Sequence, residues 1–402
     1  MKRKILTTIL ATIIFLTGCW DARELNELGI SLVIGFDIED DKVLITAEII
    51  NPVYSSEEAK GDQIQSVEYV QGIGNTILEA SRDITLKFDR RLFISHNKVV
   101  IFGEEFAKRG LVKNIDQLLR EREHRETAKV LIAKGAKAYE VMGISSGVEQ
   151  IPANYIAEIV NNIKYNPKTG DVNFIQFLKH YYHEGRHPVA GVVEKKSKDE
   201  INKVGNDGSD KDYELTTLGM AVFKGDKLVG YLNGNDTKSV NFILNKIRGG
   251  IITFPTPSEN QEAENLRDFS STVIIENKTK RDVEIIDNKV ILKAKINLKT
   301  SMGEIIGDVD VSNTENIKKM EDACSKAIEE GISLAVKRVQ EEFKVDIFGF
   351  GVEFHKKYPD KWKEIRDDWD QIFSEAEFQI NVNTKIIRTG LINTPLFKIK
   401  VK

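Results

Sequence analysis

The chain has 402 residues, of which 41% are hydrophobic and 30% charged, and its formal net charge is −4 at pH 7. This is the composition of a globular protein with roughly two or three domains. The acidic balance argues against a nucleic-acid partner, which would need a basic face. Its two cysteines are too few for an internal disulfide framework.

Residues 1–18 have the features of a lipoprotein signal peptide. Three basic residues at 2–4 precede an uncharged apolar run at 5–16. As a helix this run would rise about 18 Å, too short for a ~30 Å hydrocarbon layer. Leu16-Thr17-Gly18-Cys19 resembles the lipobox of bacterial lipoproteins, in which the cysteine thiol receives a diacylglycerol and becomes the new N-terminus. The alternative is a plain signal peptide followed by an incidental cysteine.

Cleavage at this site would change both the charge and the location of the protein. Loss of the three basic residues takes the net charge from −4 to about −7. Two acyl chains give stable anchoring where one gives marginal binding. We therefore expect a chain that is held by Cys19 on the outer face of a membrane.

The predicted N-terminal domain, residues 19–190, alternates strands and helices. β-Branched runs at 30–38 and 42–50, split by three acidic residues, predict a hairpin. Apolar residues at helical spacing predict four helices. These helices are expected over residues 70–84, 104–122, 153–164 and 172–183.

A small middle domain is expected at residues 191–263. It starts with a charged stretch, residues 194–214, rich in Gly, Asn and Asp. Such a composition cannot bury enough apolar surface to order itself, so most of the stretch is predicted to be a mobile loop. A hairpin around Gly225-Asp226, a helix over 236–247 and a short strand complete this domain.

The predicted C-terminal domain, residues 264–402, contains two long strands, a long helix over about 314–343 and a final strand. Cys324 lies on the apolar stripe of the long helix, which predicts a buried, inert thiol. Trp362 and Trp369 are seven residues apart and are expected to line one core face. Hairpins and irregular helix insertions favour a multidomain α+β fold with mixed and antiparallel sheets over a doubly wound sheet.

One motif suggests catalysis. His183-Glu184-Gly185-Arg186-His187 matches H-E-x-x-H, which in zinc peptidases places two histidines on one helical face. Here Gly185 lies inside the required turn and Pro188 follows directly, which biases His187 away from helical geometry. The two histidines are therefore not expected to share a helical face. We predict no metal site, no cofactor and no catalytic residue, and a zinc hydrolase using His183, Glu184 and His187 is the least favoured alternative.

Several stretches resemble the C-subunit lipoproteins of spore nutrient-germinant receptors, the Ger(x)C or GerAC-like family. They are "GCWDARELNELGISLVIGFD" at 18–37, "RRLFISHNKVVIFGEEFAKRGL" with the following "LLREREHRE" at 90–126, and "GMAVFKGDKLVGYL" at 219–232. The order of these stretches is specific, although no single motif is diagnostic. The resemblance covers nearly the whole chain after Cys19.

The resemblance implies extracytoplasmic α+β domains on the outer surface of the spore inner membrane. It also implies assembly with an A-type and a B-type integral membrane subunit, without enzymatic activity. Trp20, Asp21, Arg23 and Glu24 lie beside the anchor and are predicted to dock on such membrane partners. A substrate-binding lipoprotein of an importer is a rival interpretation, but it would need two α/β lobes around a cleft.

Overall fold

A computed structural model describes residues 27–51, 66–120, 125–145, 149–201, 213–257, 268–307 and 309–390. In these residues the chain forms two β-sheets, with ten and four strands, and helices that pack on them. No helix in the described ranges is long and apolar enough to cross a membrane.

The large sheet has the order β10-β9-β7-β6-β5-β1-β2-β3, with β4 paired to β1 and β8 paired to β7. Its centre is parallel, from β1 through β5 and β6 to β7, and its flanks are antiparallel. The strands are β1 (Leu28–Glu39), β2 (Lys42–Ile50), β3 (Val67–Gly74), β4 (Arg91–Phe93), β5 (Val99–Gly103), β6 (Lys129–Ala133), β7 (Val189–Ser197), β8 (Tyr213–Thr216), β9 (Met220–Lys224) and β10 (Lys227–Leu232).

Helices cover both faces of the large sheet. Successive residues of its central strands are all apolar, so both faces of these strands must be buried. Val99 and Ile101 face one buried cluster, which the helices Ala138–Val141 and Pro152–Asn161 complete, while Val100 and Phe102 face the other. A strand that is buried on both faces reads as a continuous apolar run. The helices of this part are α1 (Ile77–Ile84), α2 (Glu104–Arg109), α3 (Val112–Arg120), α4 (Ala138–Val141), α5 (Pro152–Asn161), α6 (Phe174–Tyr182), α7 (Lys198–Ile201) and α8 (Gly234–Ile243).

The small sheet has the order β11-β12-β13-β14, antiparallel except for the parallel β13–β14 pair. Its inner face is buried, and its outer face is exposed along most of β13. Its strands are β11 (Ile251–Pro255), β12 (Phe269–Ile286), β13 (Lys289–Ile305) and β14 (Glu377–Arg388). Its helices are α9 (Thr314–Arg338), which continues as a π-helix to Phe343, α10 (Phe350–Lys357), α11 (Pro359–Ile365) and α12 (Trp369–Glu375).

Helix α9 also covers the outer edge of β14. Side chains of Glu321, Ser325 and Glu329, one turn apart, accept hydrogen bonds of 2.8–3.1 Å from alternate backbone N–H groups of β14, those of residues 386, 384 and 382. An open strand edge invites pairing with another chain. The helix therefore removes these N–H groups from any such pairing.

Several sequence predictions are confirmed, including the α+β class with mixed and antiparallel sheets. The first hairpin is present, as β1 and β2, and so is the long helix from Thr314. The side chains of Cys324, Trp362 and Trp369 are buried. The indole rings of the two tryptophans lie 5.4 Å apart between centroids.

The predicted helix over 70–84 is wrong in its first half, since Val67–Gly74 is strand β3, paired with β2. Helix α1 begins only after Thr76, whose hydroxyl caps the N–H of Glu79 at 3.1 Å. The helix predicted over 104–122 is broken at Gly110, where φ is +109°. Strand pairing decides the first case and the backbone torsion of Gly110 decides the second. Hydrophobic periodicity contains information on neither.

The loop predicted over 194–214 is wrong at both of its ends. Strand β7 continues to Ser197 and pairs with β8, and α7 follows directly. Neighbouring side chains hold the charged residues of β7. Lys196 pairs with Glu194 at 3.3 Å, and the ammonium of Lys195 lies 3.9 Å from the ring centroid of Tyr213. Residues 202–212 lie outside the described residues.

The domain boundaries stay a prediction. The boundary expected at 190 falls within β7, which belongs to the same sheet as β9 and β10. The buried apolar cluster that contains Phe102 and Phe223 of the large sheet continues to Phe348 and Phe373, which pack beneath the small sheet.

Candidate functional site at the junction of the two sheets

The segment that carries the H-E-x-x-H pattern joins the two sheets. Helix α6 ends at Tyr182, so His183 and His187 do not share a helical face, which confirms the sequence prediction. Gly185 has φ +74°, in the region that favours glycine. An added Cβ there would lie 2.5 Å from the ring of Trp362 and 2.8 Å from Gly351. Residues 183–188 therefore pass through a gap that admits only glycine at this point.

Glu184 and His187 of the motif both make contacts to the other side of the junction. Glu184 accepts a 3.0 Å hydrogen bond from the indole nitrogen of Trp362 and lies 3.4 Å from the guanidinium of Arg366. The Nδ1 atom of His187 accepts a 2.9 Å bond from the backbone N–H of Gly225. Since Nδ1 accepts, the ring proton is assigned to Nε2, which lies 2.8 Å from Oδ1 of Asp370.

Asp370 is the acceptor that holds His187. Burial alone would raise the pKa of this carboxyl, but the hydrogen bond from His187 and the charge of Lys224 at 3.3 Å outweigh it, and the pKa is lowered. The carboxylate is therefore ionised at neutral pH. Because both nitrogens of His187 are engaged, that imidazole offers no lone pair for a metal in this geometry.

Asp346 organises the C-terminal side of the junction, and sequence reasoning missed it. The side chain is fully buried and accepts hydrogen bonds from the N–H groups of Phe348, Gly349 and Gly351 at 2.7–2.9 Å and from the indole of Trp369 at 3.1 Å. Burial raises the pKa of this carboxyl, and the donors oppose that rise. The backbone N–H of His187 donates to the Asp346 carbonyl at 2.8 Å.

Two arginines meet at the same place. Burial lowers the pKa of Arg186 to about 10; neighbouring Arg281 adds to this, while Asp346 opposes it. Arg281 donates to the carbonyl of Phe348 and lies 3.7 Å from Glu353. The Nε atom of Arg186 is shut off from solvent without a hydrogen-bond partner among the described residues. The junction thus brings the charged side chains of Arg186, Arg281 and Asp346 close together.

The structure brings together the motif residues and Asp346, Arg281 and Asp370, which come from other parts of the chain. The pattern "DIFGFG" at 346–351 was the available signal, because an aspartate before closely spaced glycines is typical of a backbone-capping turn. The part of the chain that the structure describes contains no group of three or more His, Cys, Asp or Glu side chains that could hold a metal ion. What the arrangement does is fasten α6 and β7 to α10–α12.

The other predicted site residues, Cys19, Trp20, Asp21, Arg23 and Glu24, lie outside the described residues. Their roles in lipidation and membrane-proximal docking stay predictions.

Comparisons with known proteins identify the class. Residues 21–195 match the domain family described as "Spore germination protein N-terminal domain", and residues 218–390 match "Spore germination B3/ GerAC like, C-terminal". The crystal structure of the GerBC protein superposes with a TM-score of 0.53 at 19% identity, and the match covers 88% of this chain and 97% of that one. Fold and sequence thus define a spore germination protein.

Relatives of Bacillus subtilis (strain 168) match over almost their full length. Spore germination protein KC is 28% identical, covering 98% of both chains, and spore germination protein B3 is 24% identical, covering 94% of this chain and 95% of the relative. The chain belongs to the GerAC-like family of germinant-receptor C subunits.

Proposed function

We propose that this chain is the lipid-anchored, non-enzymatic C subunit of a nutrient germinant receptor on the spore inner membrane. Its partners would be an A-type and a B-type integral membrane subunit, with which it serves receptor assembly or signalling. The observation that carries the proposal is the full-length match to spore germination proteins, joined to the lipobox cysteine at position 19.

The junction supports a non-enzymatic role. The side chains that could have formed a hydrolytic site, Glu184 and His187, are consumed by contacts between the two sheets. A rigid connection of this kind suits a subunit that passes a displacement from one part of the receptor to another. Trp20, Asp21, Arg23 and Glu24 follow the anchor directly and are proposed to dock on the membrane subunits.

A pull-down from spore membranes with the tagged full chain tests the assignment. We expect the A-type and B-type subunits to be recovered with the parent chain. Cys19→Ala should release the protein from the membrane fraction, because no acyl chain can then attach. Failure to recover either membrane subunit with the parent chain would contradict the proposal.

The docking segment has its own test. Asp21→Ala and Arg23→Ala should reduce recovery of the membrane subunits while the chain stays in the membrane fraction. Lys326→Ala, an exposed change on α9, is the matched control and should leave recovery unchanged. Normal assembly and normal germination with both segment variants would rule out docking by residues 20–24.

A further inference from the structure

The outer face of the small sheet carries an unusual concentration of positive charge. We call it the lysine face and define it by six basic residues: Lys278, Lys280, Lys295, Lys299, Lys385 and Arg388. The register places them in neighbouring rows of β12, β13 and β14, since 280 pairs with 295, 299 with 385, and 301 with 388. Rows of one face are about 7 Å apart along the strands, so these charges form one continuous patch.

Like charges stand directly opposite each other on this face. Lys280 is the cross-strand partner of Lys295, and Lys299 that of Lys385. Such pairs destabilise a sheet. Glu276 lies among them and binds Lys278 at 2.5 Å and Lys299 at 2.7 Å. Asp282, two residues beyond Lys280 on β12, binds Lys357 at 2.8 Å. Lys280, Lys295 and Lys385 make no ion pair with any residue in the described ranges.

One end of the lysine face is aliphatic. Ile251 is 55% exposed and is paired with Val273, which is 44% exposed. Ile275 and Ile387, at 40% and 47% exposure, lie beside them on β12 and β14. The outer face therefore combines unpaired lysines with exposed branched side chains, although the whole chain is acidic.

We propose that the lysine face lies on an anionic lipid surface, with its aliphatic end at the headgroup boundary. The charge is complementary to phospholipid phosphates, and each lysine near such a surface adds to binding. A protein partner fits less well, because protein interfaces are depleted in lysine and enriched in arginine and aromatic residues. A lysine ammonium is a compact, hydrated point charge that suits non-directional contact with many headgroups.

This proposal deepens the proposed function, on which the presence of a membrane rests. It adds an orientation: the small sheet would face the bilayer, and α9, on the other side of that sheet, would face away. Removal of the lysines should not unfold the protein, since it relieves two like-charge pairs. Loss of binding in such a variant would therefore report on the face itself.

The test compares two vesicle compositions. The full chain is mixed with vesicles of phosphatidylcholine and with vesicles that contain about one third phosphatidylglycerol, which carry a negative surface charge. The measured quantity is the partition coefficient for the anionic vesicles divided by that for the neutral vesicles. Membrane binding by a lipid on Cys19 or by the apolar segment 5–16 contributes to both coefficients and cancels in this ratio. For Lys280→Gln/Lys295→Gln/Lys385→Gln we expect this ratio to fall about a hundredfold, since each lysine contributes about fivefold.

A matched control removes the same charge elsewhere. Lys326→Gln/Lys337→Gln/Lys363→Gln changes three exposed lysines on α9 and α11 and should preserve most of the ratio. An equal fall in both variants would overturn the proposal in favour of a net-charge effect. An unchanged ratio in the lysine-face variant would overturn it as well, and lost recovery of a receptor subunit with that unchanged ratio would assign the face to a protein instead.

The outcome is separable from that of the proposed function. If the parent chain recovers no receptor subunit but its vesicle ratio depends on the lysine face, then the receptor assignment fails and the lipid contact stands. If the subunits are recovered and the ratio does not depend on the lysine face, then the receptor assignment stands and the lipid contact fails.

Discussion

Carboxylates in the interior and on the lysine face have opposite surroundings. Burial raises the pKa of Asp37 to about 6, although the N–H groups of Ala138 and Tyr139 oppose the rise. Hydrogen bonds from Lys278 and Lys299 lower the pKa of Glu276 to about 2. Desolvation thus dominates in the interior and lysine charge dominates on the face, so the same substitution type should have unequal consequences in the two regions.

Asp346→Ala should give the largest effect and tests whether the interior depends on its polar contacts. It would leave three buried N–H groups and the Trp369 indole without their acceptor. We expect the free energy of unfolding to fall by about 3–5 kcal/mol, measured by urea denaturation. Asp360→Ala removes a carboxylate that is 93% exposed and should give no measurable loss. Comparable losses for the two variants would contradict the comparison.

Gly185→Ala should give the next largest effect. It adds a Cβ at positive φ and 2.5 Å from Trp362, so backbone strain and overpacking together should cost about 2–4 kcal/mol. Gly135→Ala is the matched control, because φ there is +67° and nothing lies within 4 Å of an added Cβ. That variant should lose only about 1 kcal/mol from the backbone. Equal losses in urea denaturation would show that the junction yields to the added methyl group.

The contribution of Asp37 to the pH dependence of the unfolding free energy should be of intermediate size. Its folded-state pKa, about 6, lies above the ordinary value of 3.8. Stability from this group is therefore fully present below about pH 4 and is lost as pH rises through about 6. Two pKa units correspond to about 3 kcal/mol. Between pH 4 and pH 7, the unfolding free energy of Asp37→Asn should rise relative to the parent by up to that amount, and parallel pH profiles would refute the prediction.

Glu276→Gln should have the smallest effect on folding, and it tests the role of the carboxylate on the lysine face. It removes an acid of the lysine face, so the vesicle ratio defined above should rise by up to about fivefold. The urea midpoint should stay unchanged, because the carboxylate is at the surface. A lower vesicle ratio would mean that Glu276 organises the face rather than partly neutralising it.

Periodicity succeeded where one face of an element is buried. The strand alternation of residues 288–299 and the apolar stripe through Cys324 follow from such single-faced burial. It failed at Val70–Gly74, where apolar residues fit a strand and a helix equally well. The pairing of Val70 with Ala47 decides for the strand. Charge composition likewise failed at residues 194–197, because β8 supplies a pairing partner there.

The lysine face and the junction were invisible to the sequence for the same reason. Lys280 and Lys295 are fifteen positions apart, and Lys299 and Lys385 are on strands separated by α9–α12; only the register of β12, β13 and β14 makes them neighbours. Gly185 and Gly351 are even more distant in sequence and touch because two sheets meet there.

The sequence by itself determined the α+β class, the long helix, the buried cysteine and tryptophans, and the resemblance to germinant-receptor C subunits. Local spacing and residue type suffice for these, because they depend on which side of one element is apolar. Tertiary structure decided that His183–His187 fastens two sheets, that Asp346 is held by four donors, and that lysines of three strands form one face. Each of these depends on which distant segments are brought together, and the chain specifies that only through the packing of the whole fold.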